Sequence, residues 1–156
     1  MKLSILKGFS YGLTSGVITT LGLMVGLHAG THSKTVVISG ILVIAVADAL
    51  SDALGIHISE ESENQHTQKE IWQSTLMTFA AKFVFALTFV VPILIFSLPI
   101  AIIASVAWGL FLIALFSYYL AKRQQTKPWG VMTEHLLIAI LVITLTHYLG
   151  DWLNRL

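Results

Sequence analysis

The sequence contains no cysteine. That excludes a disulfide framework, a thiolate metal site and thiol redox chemistry. Charge is scarce too: Asp, Glu, Lys and Arg make up 11% of the 156 residues, against about 25% in ordinary soluble domains. The formal net charge of +1 supplies no basic surface, so no nucleic-acid partner is expected. Proline occurs three times, and no Pro-, Gly- or Ser-rich linker divides the chain, so 1–156 reads as a single domain. What is plentiful is apolar surface. Hydrophobic residues are 56% of the total and the mean hydropathy is +0.82, which fits a lipid solvent better than water.

A helix needs about 20 mostly apolar residues to cross a bilayer. Five runs qualify: residues 6–27, 35–58, 75–98, 100–121 and 131–149. The expectation is an all-α integral membrane protein of five transmembrane helices, with a short acidic cytoplasmic loop at 59–74. Lys2 and Lys7 before an apolar run resemble the start of a signal peptide. The run carries Tyr11, Thr14, Ser15, Thr19 and Thr20, however, and lacks a compact apolar core and a cleavage site, so it reads as the first span. The third and fourth spans are joined only at Ser97, Leu98 and Pro99, which predicts a helical hairpin.

Basic residues favour cytoplasmic loops. Lys2, Lys7, Lys69, Lys122, Arg123 and Lys127 fall on the side of the N-terminus, and Lys34 and Arg155 on the other. This bias puts the N-terminus in the cytoplasm and the C-terminus outside. Trp72, Tyr118, Tyr119 and Trp129 then lie at the inner interface and Trp152 at the outer one, where amphipathic rings prefer to sit.

Two acids interrupt the second span, Asp48 and Asp52. Each costs about 2.5–3.5 kcal/mol near the bilayer centre on insertion scales, so such residues point to function or pairing. Their spacing of four puts both on one helical face, which Ser51, Gly55 and Ser59 are expected to extend. At about 1.5 Å per residue, Asp48 lies about 15 Å and Asp52 about 9 Å in from residue 58. The first span offers a matching strip. Tyr11, Ser15 and Thr19 form one row, and Gly8, Gly12 and Gly16 the adjacent one, a pattern that lets helices approach closely in lipid. Lys82 lies about two turns into the third span, at a similar depth. It reads either as a structural counter-ion of the aspartates or as a charge displaced when a cation or proton occupies them.

The remaining polar residues lie nearer the ends. Glu134 falls near the level of Asp52, whereas His135, His147 and Asp151 read as interfacial. Glu60, Glu61, Glu63, His66 and Glu70 line the acidic loop, as a solvated face or as ligands for a first-row divalent metal. His28 and His32 flank Gly30, which argues for a turn and against a shared face.

The stretches "GLTSGVITTLGLMVGLHAG" and "ADALSDALGIHISEESE" resemble the vacuolar iron transporter family, including its shorter prokaryotic relatives. Gly12, Gly16, Thr19 and Thr20 match the family's first-helix motif. Ala47, Ala49, Ser51, Gly55 and Ser59 fit its second, and Pro92 stands at the proline of its third helix. The departures fall at the chemistry: Ser15 stands for the family's aspartate, Asp52 for its methionine, and Ile56 and His57 for its Glu-Tyr pair. The resemblance implies a proton-coupled exporter of Fe²⁺ or Mn²⁺, a homodimer in membrane lipid, and a prokaryotic cell membrane as its place. Replacing a thioether by a carboxylate shifts preference toward harder ions.

The leading expectation is therefore a divalent-cation transporter with no resident cofactor, the metal being cargo. Asp48 and Asp52 are its ligands or proton acceptors, and Glu60, Glu61, Glu63 and His66 its capture loop. Ser15, Thr19, Ser51, Lys82 and Glu134 line the path. The alternative is a non-transporting scaffold or sensor with a structural Asp–Lys pair. An enzyme is not expected, because hydrolysis in the membrane wants a nucleophile–base or multi-histidine site at one depth and the six histidines are scattered.

Overall fold

The computed structural model describes residues 3–156; Lys2, part of the charge asymmetry above, lies outside them. The described residues form helices and short connections: α1 (Leu3–Thr31), α2 (Lys34–Glu63), α3 (Gln68–Thr88), α4 (Val90–Ile95), α5 (Leu98–Arg123) and α6 (Pro128–Asn154). With α3 and α4 taken as one span, five helices among the described residues are long and apolar enough to cross a membrane. The protein is an all-α integral membrane protein.

Local chemistry sets the helix boundaries. Ser33 caps α2, its hydroxyl accepting from the Val36 N–H at 3.4 Å. Thr67 and Glu70 form a capping box at the start of α3. Pro99 and Pro128 occupy the first turns of α5 and α6, where a missing N–H costs nothing. Asn64 ends α2 at φ 52°, in the left-handed region asparagine tolerates.

Two expectations are corrected here. The acidic segment 59–74 is not a loop. Helix α2 runs on through Glu63 and α3 begins at Gln68, so only 64–67 connect them. The polar sequence does not end these helices, because the capping box and the Asn64 turn supply the boundaries instead. The third span is also not one continuous helix. It breaks at Phe89, between α3 and α4, because Pro92 has no N–H for the Thr88 carbonyl and its ring crowds that carbonyl. The Thr88 hydroxyl donates to the Phe85 carbonyl at 2.6 Å and accepts from Trp108 Nε1 at 3.2 Å.

Helix α1 is the axis of the bundle, packing on α2, α3, α5 and α6. Its two glycine rows serve two neighbours. A Cβ at Gly8 or Gly12 would run into the backbone carbonyl of Ser74 or Thr78, and one at Gly16 would sit 3.0 Å from Lys82 Cα. On another face, a Cβ at Gly22 would lie 2.8 Å from Val142, one at Gly26 3.2 Å from the Thr146 carbonyl, and one at Gly30 3.3 Å from the Gly150 carbonyl. Both sets rise together in number, so α3 and α6 run parallel to α1. Helix α2 runs antiparallel to it, as the contacts of Lys7 with Glu60 and Ser15 with Asp52 require. The apolar core gathers on the remaining faces of α1, where Leu13, Val17, Leu21 and Met24 join Ile41, Phe89 and Ile113. Large apolar side chains of α2, such as Leu42, Val46, Leu50 and Leu54, are exposed around the outside.

Candidate functional site

The close packing of α1 on α3 places the site. Because Gly16 leaves no space beside the Lys82 backbone, the lysine side chain passes α1 and ends on α2. Its ammonium lies 2.6 Å from Asp48 Oδ2 and in direct contact with Asp52 Oδ2. It also donates to Ser15 Oγ at 2.9 Å, while the Ser15 hydroxyl donates to Asp52 Oδ2 at 2.6 Å. Lys82 is 2% exposed, Asp52 18% and Asp48 33%. Three helices thus converge on two carboxylates and one ammonium. A formal charge of −1 is left over in a setting that penalises net charge.

The seam extends toward the N-terminal end of α1. Lys7, Tyr11, Ser15 and Thr19 form one row on α1, and Asp48, Asp52, Ile56 and Glu60 one row on α2. Lys7 Nζ lies 3.2 Å from Glu60 Oε1 and 3.7 Å from Glu63 Oε1. Glu60 is 1% exposed, and its other oxygen accepts from the Ser74 hydroxyl. Sequence reasoning left out the Lys7–Glu60–Ser74 group. The spacing-of-four row through residues 7, 11, 15 and 19 was the available signal, and it needed one step further back.

Two open cavities approach the aspartate–lysine cluster from opposite ends. One, of about 580 Å³, lies between α1, α2 and α6; Thr19, Ile44, Asp48 and Thr146 line it, and Gly30 and Leu153 mark its far end. The other, of about 610 Å³, lies at the N-terminal end of α1 and is lined by Lys7, Tyr11, Thr14, Glu60, His66 and His135. Ser15, Asp52 and Lys82 line neither. In the α1 and α2 rows, Ser15 and Asp52 fall between Tyr11 and Thr14 on one side and Thr19 and Asp48 on the other.

The structure thus joins Ser15, Asp48, Asp52 and Lys82, and leaves the other expected site residues apart. Thr19 is exposed and bonds back to the Ser15 carbonyl at 2.8 Å. Ser51, expected on the aspartate face, is exposed together with Gly55 and Ser59; the polar face continues through Glu60 instead, since spacing of four from Asp48 passes through 52, 56 and 60. Glu134 is exposed on α6, a helix whose main packing is against α1 and α5, so a shared depth with Asp52 does not bring the two together. Of the acidic segment, Glu61 is exposed, Glu63 meets His66 at 3.2 Å, and Glu70 serves the capping box. Among the described residues no three His, Asp or Glu side chains gather as a ready-made metal cluster. At the far end, Gly30 makes no turn. Helix α1 continues to Thr31, and the His28 and His32 rings come within 5.5 Å; the glycine serves the approach to Gly150.

No curated protein matches this chain. Ser15, Asp48, Asp52 and Glu60 all fall within residues 6–71, which match the model of the VIT family, whereas Lys82 falls beyond them. This part of the chain is therefore similar to the VIT family, and the match supports assignment to the vacuolar iron transporters, a family of membrane metal-ion transporters.

Proposed function

We propose that this protein carries a divalent cation of the Fe²⁺ or Mn²⁺ type across the membrane, out of the cytoplasm and in exchange for protons. Asp48 and Asp52 are the carboxylates that receive it. The observation that carries this reading is the unbalanced cluster: two carboxylates on one turn of α2, one ammonium between them, and a cavity approaching from each end. A site near mid-membrane reached in turn from either side is the arrangement alternating access requires. Oxygen ligands suit the harder first-row divalent ions, and Ser15 adds a neutral oxygen. The cavity bearing Glu60, His66 and Lys7 is the entrance on the cytoplasmic side, so capture takes place in a cleft between helices and not on a loop.

Manganese flux into liposomes holding the purified protein tests the reading. The Asp48→Asn/Asp52→Asn double variant keeps the size of both side chains, turns one acceptor oxygen of each into an amide donor and removes their charge. In the protein that still folds, flux should fall by about a hundredfold, the upper end of what losing an outer-shell partner of a metal ligand costs. Undiminished flux takes the aspartates out of the mechanism. The burial of Lys82 among its partners favours a second reading, a non-transporting protein with a structural ion pair. In that case the wild type carries no manganese and the double variant loses stability alone.

A further inference from the structure

We propose that Lys82 is a tethered competitor for the cargo. Its ammonium occupies the cation position between Asp48 and Asp52, and only an ion of higher charge displaces it. This rests on the carrier reading and adds the basis of its selectivity.

The arrangement has the features a built-in competitor needs. The ammonium touches both carboxylates and Ser15 at once, so it covers the oxygens a bound cation would use. Its backbone is fixed, since Lys82 Cα and its carbonyl abut Gly16. Freedom to leave therefore resides in the side-chain stem alone, which is long and flexible in lysine. Withdrawal has a direction as well. Tyr11, one turn before Ser15 on α1, lines the cavity at the N-terminal end of that helix, where a lysine head can snorkel toward water.

Charge balance then sorts the ions. With the ammonium seated, the two carboxylates and the lysine sum to −1. A monovalent ion taking its place restores the same −1 and leaves an ammonium to be rehoused, so the exchange gains nothing. A divalent ion brings the carboxylates to zero, and that gain offsets the displacement. Two carboxylates alone would attract sodium or potassium, far commoner than any transition metal. The lysine discriminates by making entry unfavourable for the wrong charge.

The test is Mn²⁺ titration of purified full-length protein in detergent, at fixed ionic strength, with either choline or sodium as the background cation. In the wild type, Mn²⁺ affinity should be the same in both salts. Lys82→Met keeps the length of the side chain and removes its charge. It should bind Mn²⁺ at least about tenfold more tightly in choline, and sodium should now compete. Lys82→Arg should hold both carboxylates in a two-pronged grip and weaken Mn²⁺ binding by about tenfold. Wild-type binding with unchanged or weaker affinity in Lys82→Met overturns the proposal and leaves the carrier reading standing. If Lys82→Met does not fold, Lys82→Arg decides: weaker binding supports competition, and equal or tighter binding overturns it. Folded wild type, Lys82→Met and Lys82→Arg that all fail to bind Mn²⁺ remove the carrier reading itself, and the competitor with it.

Discussion

Ser15 shows how much a single small residue does here. It donates to Asp52 and accepts from Lys82, so it fixes the angle between the two charges while adding none of its own. Ser15→Ala removes one of the few hydrogen bonds to Asp52 in a site 18% exposed. A hydrogen bond to a charged group contributes about 1.5–3 kcal/mol, and thermal unfolding in detergent should show a loss of that order, which Ser15→Thr should largely restore. The acids of the α2 end differ as sharply. Glu60→Ala leaves the buried Ser74 hydroxyl with the Ile71 carbonyl at 2.9 Å and takes from Lys7 its nearer carboxylate, a loss of about 1 kcal/mol. Glu61→Ala touches an exposed side chain and should stay within about 0.5 kcal/mol. In the sequence these neighbours look alike. Only the length of α2 and the turn of its last residues separate a buried acid from a solvated one, and composition does not report either.

Between helices the glycines decide. Gly12 faces the Thr78 carbonyl so closely that a Cβ has no room, whereas around a Cβ at Gly55 nothing lies within 4 Å. Gly12→Val should push α1 off α3, withdraw Lys82 from the aspartates and destabilise by about 1–3 kcal/mol, the usual cost of overpacking. Gly55→Val should leave the unfolding temperature nearly unchanged; equal losses at both positions would mean the close approach of α1 to α3 does not hold the bundle. At this scale much was legible. The five apolar runs, the hairpin at Ser97 and the Gly8, Gly12 and Gly16 row of α1 all followed from spacing and length; the second row, Gly22, Gly26 and Gly30, did not. The ends of α2 and α3 did not, although Thr67 and Glu70 carry the spacing of a capping box. Polar content was read as loop there, while a helix leaving the bilayer has no reason to stop. The break at Phe89 was within reach too, since Pro92 stands inside an apolar run and a proline removes the bond to the residue four before it. Lys82 was legible as a counter-ion of the two aspartates, on the ground of its depth alone. Their meeting with Lys82 depends on how closely α1 and α3 approach, which the glycine row permits but does not by itself fix.

For the whole molecule the decisive feature is that two cavities approach one cluster without joining through it. Asp48 faces the cavity shared by α1, α2 and α6, while Tyr11 and Thr14 face the one at the N-terminal end of α1. Ser15, Asp52 and Lys82 stand between them. If that cluster is the barrier, side chains one turn apart on α1 belong to opposite sides of the membrane. The absence of cysteine makes this directly measurable, because a single introduced thiol is the only one a membrane-impermeant reagent can find. Thr14→Cys and Thr19→Cys lie five residues apart, only about 7.5 Å along the helix. In sealed vesicles Thr14→Cys should react from the face bearing the N-terminus and Thr19→Cys from the opposite face. Reaction of both from one face would place the barrier elsewhere and detach the aspartates from the path. Adding Mn²⁺ gives the same experiment a second reading. A carrier that changes its open side as it loads should alter the rates at the two positions in opposite directions, whereas a rigid scaffold with a structural ion pair should leave both as they were.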